Sequence, residues 1–216
     1  MEKVHLFVVE GSVGSGKSSV FRSLKKELQS KNIDVCYLEE PDFTEIQVGN
    51  DTLNPLAELY KDDITPDTYL CMQILICQML SNYYKNNKIN TKIVLLDRWL
   101  GSCGIFHKLG RENGQLGYPA FSFLQNFVNQ HQEDFLNSIP GDKKIHLCFL
   151  DTDDKITANQ VFLRQRAEET TKGFDFWVKF SKDFKKTALN QNIYEIIDSQ
   201  EKLKSYILEK ILSIGK

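Results

Sequence analysis

Residues 8–21 read VVEGSVGSGKSSVF, from Val8 to Phe21. An apolar run gives way to small, flexible residues, then to a lysine, two serines and a helical pattern. Gly11 to Ser18 satisfy G-x-x-x-x-G-K-[ST], directly behind a predicted strand and directly in front of a predicted helix. Glycines let successive backbone N–H groups converge on phosphate oxygens with no Cβ in the way. The following helix turns the positive end of its dipole toward the same anion. Lys17 reaches the terminal phosphates, and the Ser18 hydroxyl is a ligand for Mg²⁺. The stretch therefore predicts a nucleoside triphosphate site built from Gly11, Ser12, Val13, Gly14, Ser15, Gly16, Lys17, Ser18 and Ser19.

The rest of the chain sets the frame around that site. At 216 residues, with 41% apolar and 26% charged side chains, the composition suits one buried-core domain spanning 1–216. A net charge of −2 argues against broad attraction to nucleic acid or anionic lipid, so neither is expected as a partner. No run approaches the roughly 18 apolar residues needed to span a bilayer. The opening Met1-Glu2-Lys3-Val4-His5-Leu6 passes straight into a strand pattern without the shape of a signal peptide. The five cysteines, Cys36, Cys71, Cys77, Cys103 and Cys148, contain no C-x-x-C and no ligand spacing with histidine. They read as reduced structural thiols, and the chain as cytoplasmic.

Strand-like runs at Val4–Glu10, Asp34–Leu38, Lys92–Asp97, Ile145–Leu150 and Tyr194–Ile197 alternate with helical patterns. The helices are expected at Lys17–Lys31, Pro66–Lys88, Pro119–Ser138, Lys155–Glu168, Phe174–Leu189 and Gln200–Ser213. That alternation predicts the α/β class, with a five-stranded parallel sheet covered by helices on both faces. Lys108–Gly117 reads as a loop within the domain.

A guanine-reading N-K-x-D and a D-x-x-G are both missing, which excludes a GTPase switch, and a motor-type ATPase usually needs more chain. Small chains with such a loop transfer the terminal phosphoryl group to a small acceptor, and three further stretches bear on that. Leu38-Glu39-Glu40-Pro41 places a carboxylate where strand ends face the ligand crevice, suited to take a proton from a hydroxyl. Ile93-Val-Leu-Leu-Asp97-Arg98 is an apolar strand ending in a candidate Mg²⁺ ligand and a cation for the moving phosphoryl group. Val161-Phe-Leu-Arg164-Gln-Arg166 carries two arginines that suit a short lid closing over a triphosphate.

The ordered set EGSVGSGKSS, EEP, NPLAELYKD, a lone Gln73 in an apolar helix, LLDR and FLRQRAEE resembles the deoxynucleoside kinase family. Its members include the cellular deoxycytidine, deoxyguanosine and mitochondrial thymidine kinases and a broad-specificity insect enzyme. The resemblance covers nearly the whole chain and implies a P-loop kinase fold with an arginine-bearing lid, acting in nucleotide salvage. By position it implies Glu40 as general base on the 5′-hydroxyl, with Arg98 supporting that carboxylate and the phosphoryl group. It implies Mg²⁺ on Ser18 and Asp97, Gln73 on the base edge, and Tyr60 with Glu169 on the sugar 3′-hydroxyl. Arg164 and Arg166 match lid arginines, Asp198 falls in an adenine-contacting loop, and family members are commonly homodimers.

Departures from the family pattern shape the acceptor pocket. Asp97 stands where glutamate is usual, Trp99 where serine is usual, and Glu45 where insect-like enzymes have tryptophan, leaving Phe43 or Ile46 as a wall. Around Ser102–His107 one residue is missing, so Phe106 or His107 stacks on the base, Phe106 fitting the spacing better. Relatives that prefer deoxycytidine or purines carry an arginine–aspartate pair where this chain has Leu80 and either Cys103 or Ser102. A small, uncharged pocket favours pyrimidines, thymidine foremost. The alternative is a thymidylate kinase, whose D-R-aromatic stretch with a serine three residues on fits Asp97-Arg98-Trp99-Leu-Gly-Ser102. That family usually has arginine before its E-P pair, where this chain has Glu39, and a second carboxylate would repel a 5′-monophosphate. A chain that holds ATP without transferring it is a third reading, weakened by the acceptor-side set Glu40, Tyr60, Gln73 and Glu169.

Overall fold

A computed structural model describes residues 3–39, 46–48, 51–53, 66–87, 89–100, 102, 105, 118–164 and 173–214. The strands are β1 (Val4–Glu10), β2 (Cys36–Leu38), β3 (Ile46–Val48), β4 (Asp51–Leu53), β5 (Ile93–Asp97), β6 (Lys143–Leu150) and β7 (Glu195–Ile197). The helices are α1 (Lys17–Ser30), α2 (Pro66–Asn86), α3 (Tyr118–Ser138), α4 (Asp154–Leu163), α5 (Phe174–Leu189) and α6 (Gln200–Ile214). Five strands form one parallel sheet in the order β2-β5-β1-β6-β7, and β3 and β4 pair as a separate antiparallel hairpin.

Every residue of β5, and all of β1 but His5, is buried. Both strands are rich in Val, Leu, Ile and Phe, the composition of strands covered on both faces. Side chains alternate across the sheet, so each strand supplies two cores. Leu6, Val8, Val94 and Leu96 pack with Cys77, Leu80 and Tyr84 of α2 and Leu124, Val128 and Phe135 of α3. Phe7, Val9, Ile93 and Leu95 pack on the other face with Phe21, Leu24 and Leu28 of α1 and Leu203, Ile207 and Ile211 of α6. At the end of β6, Phe149 meets Phe184 and Ala188 of α5 and Ile105. Cys148 is buried, and burial pushes its thiol up to about 12, the behaviour of an unreactive core residue.

Element boundaries depart from the sequence pattern where tertiary pairing decides them. β2 is confined to Cys36–Leu38, the residues that pair with Val94–Leu96. β6 begins two residues early because Lys143 and Lys144 pair with Val4 and His5. α4 stops at Leu163 with Arg164 as its cap, short of the expected Glu168, and Leu163 is already 66% exposed. The β3–β4 hairpin was not expected. Its signal is the Gly49-Asn50 pair between two short runs, a two-residue loop composition. Among the described residues, no helix is long and apolar enough to cross a membrane.

A pair of imidazoles sits on one face of the sheet. His5 Nδ1 lies 3.2 Å from His146 Nε2, and His146 stacks on Phe7 with ring centroids 4.4 Å apart. Burial, the neighbouring His5 charge, Lys144 and Lys210 hold His146 down to about 4, and burial with Lys144 and Lys3 lowers His5. The unfolded chain takes up these protons near pH 6.5, whereas the folded chain resists them, so the unfolded state binds more protons in between. Stability is therefore lost as pH falls from 6.5 toward about 4. The expected result is a Tm that declines over that window in wild type and declines less in His146→Phe, which keeps a stacked ring. Equal slopes for the two proteins would remove the imidazole pair as the cause.

Candidate active site

The strand order reverses at β1, and in parallel sheets the ligand crevice opens at the carboxyl ends of the strands beside such a switch. The glycine-rich loop leaves β1 at that position. Gly14 sits at φ +85°, and a Cβ added there would lie 2.4 Å from the Thr157 carbonyl oxygen of α4. Gly16 is the left-handed N-cap of α1, at φ +96°. Glycine is required at both because the turn is left-handed and its neighbours are close. The loop is held from behind by Thr152 Oγ1 and Gln200 Nε2, which donate to Ser15 O at 3.1 and 3.3 Å.

Lys17 is 5% exposed and its Nζ donates to Gly11 O and Ser12 O, both at 3.0 Å. Ser18 Oγ donates to Asp97 Oδ2 at 2.5 Å, joining the start of α1 to the end of β5. A hydroxyl and a carboxylate side by side are hard oxygen donors of the kind Mg²⁺ takes. Ser18 and Asp97 thus stand side by side at the ends of the loop and of β5.

Arg98 follows Asp97 with φ +76°, an uncommon conformation for a residue with a side chain. Its N–H donates to Val9 O at 3.1 Å and its carbonyl accepts from Tyr84 Oη at 3.4 Å. The guanidinium carbon lies 5.9 Å from the centre of the Phe184 ring. Beside it is Glu10, the last residue of β1, with no exposed surface. Glu10 Oε1 accepts from Trp99 N at 2.8 Å and Oε2 from Ser102 Oγ at 2.5 Å. Burial raises the Glu10 carboxyl above its usual range, opposed first by the Arg98 charge, then by the Ser102 and Trp99 hydrogen bonds and Lys17.

A second polar chain ties the loop to the helices that flank residues 165–172. Ser181 of α5, 2% exposed, has its Oγ 3.0 Å from Ser12 Oγ and 2.8 Å from Asp154 Oδ1 of α4. A hydroxyl carries one proton and a carboxylate only accepts, so Ser12 donates to Ser181 and Ser181 to Asp154.

Of the other expected site residues, Leu80 is 3% exposed within the core between the sheet, α2 and α3. Gln73 lies in α2. Arg164 caps α4 and is exposed. Asp198 follows β7 and pairs with Lys202 at 2.7 Å on the surface. Glu40, Tyr60, Cys103, Phe106, His107, Arg166 and Glu169 lie outside the described residues. Glu10, Tyr84, Ser102 as its partner, Asp154, Ser181 and Gln200 were not anticipated. Strand phase could have found Glu10, which continues the series Leu6, Val8 toward the side where the chain leaves β5.

With that geometry established, comparison with known proteins is specific. A sequence model described as deoxynucleoside kinase matches residues 7–209. A protein named thymidylate kinase from Francisella philomiragia subsp. philomiragia is 30% identical over 202 residues, 89% of each chain. The deoxyadenosine kinase of M. mycoides, solved with products dCMP and a flexible dCDP, superposes with a TM-score of 0.69 at 19% identity. That match covers 97% of this chain and 99% of the other. The same enzyme with bound dCTP gives a TM-score of 0.67 at 22% identity over 96% of this chain and 99% of that one. These neighbours share the fold.

Gly14→Ala combines a left-handed backbone with a contact against the Thr157 carbonyl, strain of about 1–3 kcal/mol on the loop. Calorimetric titration of the variant with Mg·ATP should show affinity weakened roughly 10-fold or more. Wild-type affinity would mean that α4 yields around Thr157 and that the loop is not set by this packing.

Proposed function

The chain belongs to the deoxynucleoside kinase family, and we propose that it transfers the γ-phosphoryl group of ATP to the 5′-hydroxyl of a pyrimidine deoxynucleoside, thymidine foremost. The observation that carries this reading is the convergence of Lys17, Ser18, Asp97 and Arg98 at the adjoining ends of β1 and β5. A donor phosphate cradle, a metal-ligand pair and a buried cation together provide what in-line phosphoryl transfer needs, which is positioning and charge stabilisation. Ser18 and Asp97 would hold Mg²⁺, which on binding neutralises charge on the transferred group. In this reading Lys17 and the loop N–H groups orient the triphosphate, and Arg98 faces the charge that develops during transfer. Arg164 and Arg166 are assigned to the donor as lid arginines, and Asp198 to the adenine.

The acceptor side is argued from β2. Leu38 pairs with Leu96, so the chain leaves β2 alongside the strand that ends in Asp97. Glu39, the first residue beyond β2, is exposed there. Glu40, next in the chain, is assigned as the base that takes the 5′-hydroxyl proton. A carboxylate is useful beside a neutral hydroxyl and unfavourable beside a monophosphate. Gln73, Tyr60, Glu169, Phe106, Leu80 and Cys103 complete the assigned pocket for base and sugar. Leu75 and Met79 on α2 and Phe123 on α3 are exposed, and α2 packs on α3. That surface supports a homodimer formed through these helices.

A second reading has a specific finding behind it. The Francisella relative is named thymidylate kinase and aligns with 89% of this chain, which favours dTMP as acceptor. Ser102, the residue that made the D-R-W-x-x-S stretch suggestive, is 4% exposed and bonded to Glu10. Its position is explained by that bond whichever acceptor is used.

Transfer from Mg·ATP should be measured on thymidine, deoxycytidine, deoxyadenosine, deoxyguanosine and dTMP. Turnover on thymidine and deoxycytidine with little on dTMP is expected; turnover on dTMP alone would establish the monophosphate reading instead. Glu40→Gln should reduce kcat by ~10²–10⁴ with KM for the nucleoside largely kept. An unchanged kcat would remove Glu40 as the base.

A further inference from the structure

We propose that Glu10 is a positioning residue for Arg98, fixing its left-handed backbone through the Trp99 peptide and the Ser102 hydroxyl, with Tyr84 closing the hold from α2. The proposal rests on the phosphotransfer role assigned to Arg98 above.

Arg98 departs from the extended conformation of β5 at φ +76°. An unrestrained arginine would relax toward the common regions of backbone space. Here the backbone on both sides of its Cα is tied down. The Arg98 N–H is bound to Val9 O at 3.1 Å, the Arg98 carbonyl accepts from Tyr84 Oη at 3.4 Å, and the next N–H, of Trp99, is bound to Glu10 Oε1 at 2.8 Å. The second Glu10 oxygen holds Ser102 Oγ at 2.5 Å, and Ser102 N donates to Trp99 O at 3.0 Å, so the turn is closed on itself. A flip of Arg98 into the ordinary region would break several of these bonds together.

The choice of residue at position 10 carries the argument further. A glutamate taken wholly out of water is unfavourable unless its charge and lone pairs are matched. An apolar residue would continue the pattern of Leu6 and Val8 at no such cost. What the carboxylate supplies, and an apolar residue cannot, is a two-pronged acceptor for the 98–102 turn and a negative charge beside the guanidinium. Strained conformations persist only where the surroundings over-determine them, and they concentrate at functional sites. The strain sits on the residue assigned to the moving phosphoryl group, so its restraint serves aim as well as folding.

The test compares wild type, Glu10→Gln, Ser102→Ala, Tyr84→Phe and Arg98→Ala in steady-state transfer from Mg·ATP to thymidine. Thermal unfolding is recorded alongside, and Trp99 emission is read in a Trp177→Phe background. Glu10→Gln should lower kcat about 10²-fold, the scale of a misplaced reacting group. KM for each substrate should stay within about two-fold, the signature of an interaction felt only in the transition state. Ser102→Ala and Tyr84→Phe should lower kcat by smaller factors with the same split, and Glu10→Gln and Ser102→Ala should both shift Trp99 emission. A purely structural glutamate would lower Tm while leaving the kcat of folded enzyme and Trp99 emission unchanged. That result, with Arg98→Ala inactive, overturns the proposal and leaves the functional reading standing. Absence of nucleoside-dependent turnover in wild type refutes the functional reading itself. Should Glu10→Gln fail to fold, the kcat-against-KM split in Ser102→Ala and Tyr84→Phe decides between the two roles.

Discussion

Glu10 has no exposed surface and Lys17 has 5%, and they stand seven positions apart at the end of one strand and the start of one helix. Charges withdrawn from water to that depth must be matched on every side, or the fold will not hold them. The matching partners come from elements far apart in the chain: Trp99, Ser102 and the Arg98 charge beyond β5 for Glu10, and carbonyls of the loop itself for Lys17. The apolar strands β1 and β5 make this possible. Sealed by α1 and α6 on one face and α2 and α3 on the other, they give the polar cluster a dry floor. In such surroundings each hydrogen bond and charge acts with less screening than in water. Chemistry and architecture therefore make the same demand of the edge where the strands end.

The loop between β1 and α1 is coupled to α4 and α5 by contacts that leave little slack. Ser12 reaches Ser181 on α5 and, through it, Asp154 on α4, while Gly14 lies against the Thr157 carbonyl. α4 and α5 bracket residues 165–172, which contain Arg166 and Glu169. A shift of either helix would be felt at the phosphate loop through buried hydroxyls and a glycine contact rather than through a flexible hinge. Packed interiors transmit displacement because they have few voids to absorb it. Lys185 of α5 is also ion-paired to Asp151, just past β6, which ties that helix to the sheet.

The sequence shows much of this, and the reason is physical. A phosphate loop needs glycine where the backbone turns left-handed, a strand before it and a helix after it, and all three are written locally between Val4 and Ser30. The Asp97-Arg98 pair is equally local, an apolar run that ends in charge. What escaped depends on register. Nothing adjacent to Glu10 in sequence says that its oxygens will meet Trp99 and Ser102, because that follows from β1 lying beside β5 with Val9 opposite Asp97. Ser181 is one more serine on an amphipathic helix until α5 is placed against α4 and the loop. The overlong α4 has a different cause. Helix-compatible residues continue past Leu163 in the sequence, but Leu163 and Arg164, where the helix ends, are both exposed.

Acceptor choice turns on the same distinction between local and long-range information. The stretch Asp97-Arg98-Trp99-Leu-Gly-Ser102 reads locally as a thymidylate kinase signature, and a relative of that name aligns with most of the chain. In three dimensions its serine is spent on Glu10 and its aromatic residue packs edge-on against Phe135 of α3, ring centroids 5.8 Å apart. Those residues hold the turn that carries Arg98, and the role proposed for that cation would serve a nucleoside or a nucleotide acceptor equally well. The stretch is therefore weak as a guide to substrate, whatever its similarity. Discrimination has to come from groups that meet the acceptor at the reacting oxygen, where a hydroxyl and a phosphate differ by two negative charges at neutral pH. At the exit of β2 this chain carries Glu39 directly before the Glu40-Pro41 pair. A carboxylate there favours a neutral acceptor over a charged one electrostatically, and in the proposed reading Glu39 and Glu40 therefore bear on acceptor choice more directly than the Asp97–Ser102 stretch does.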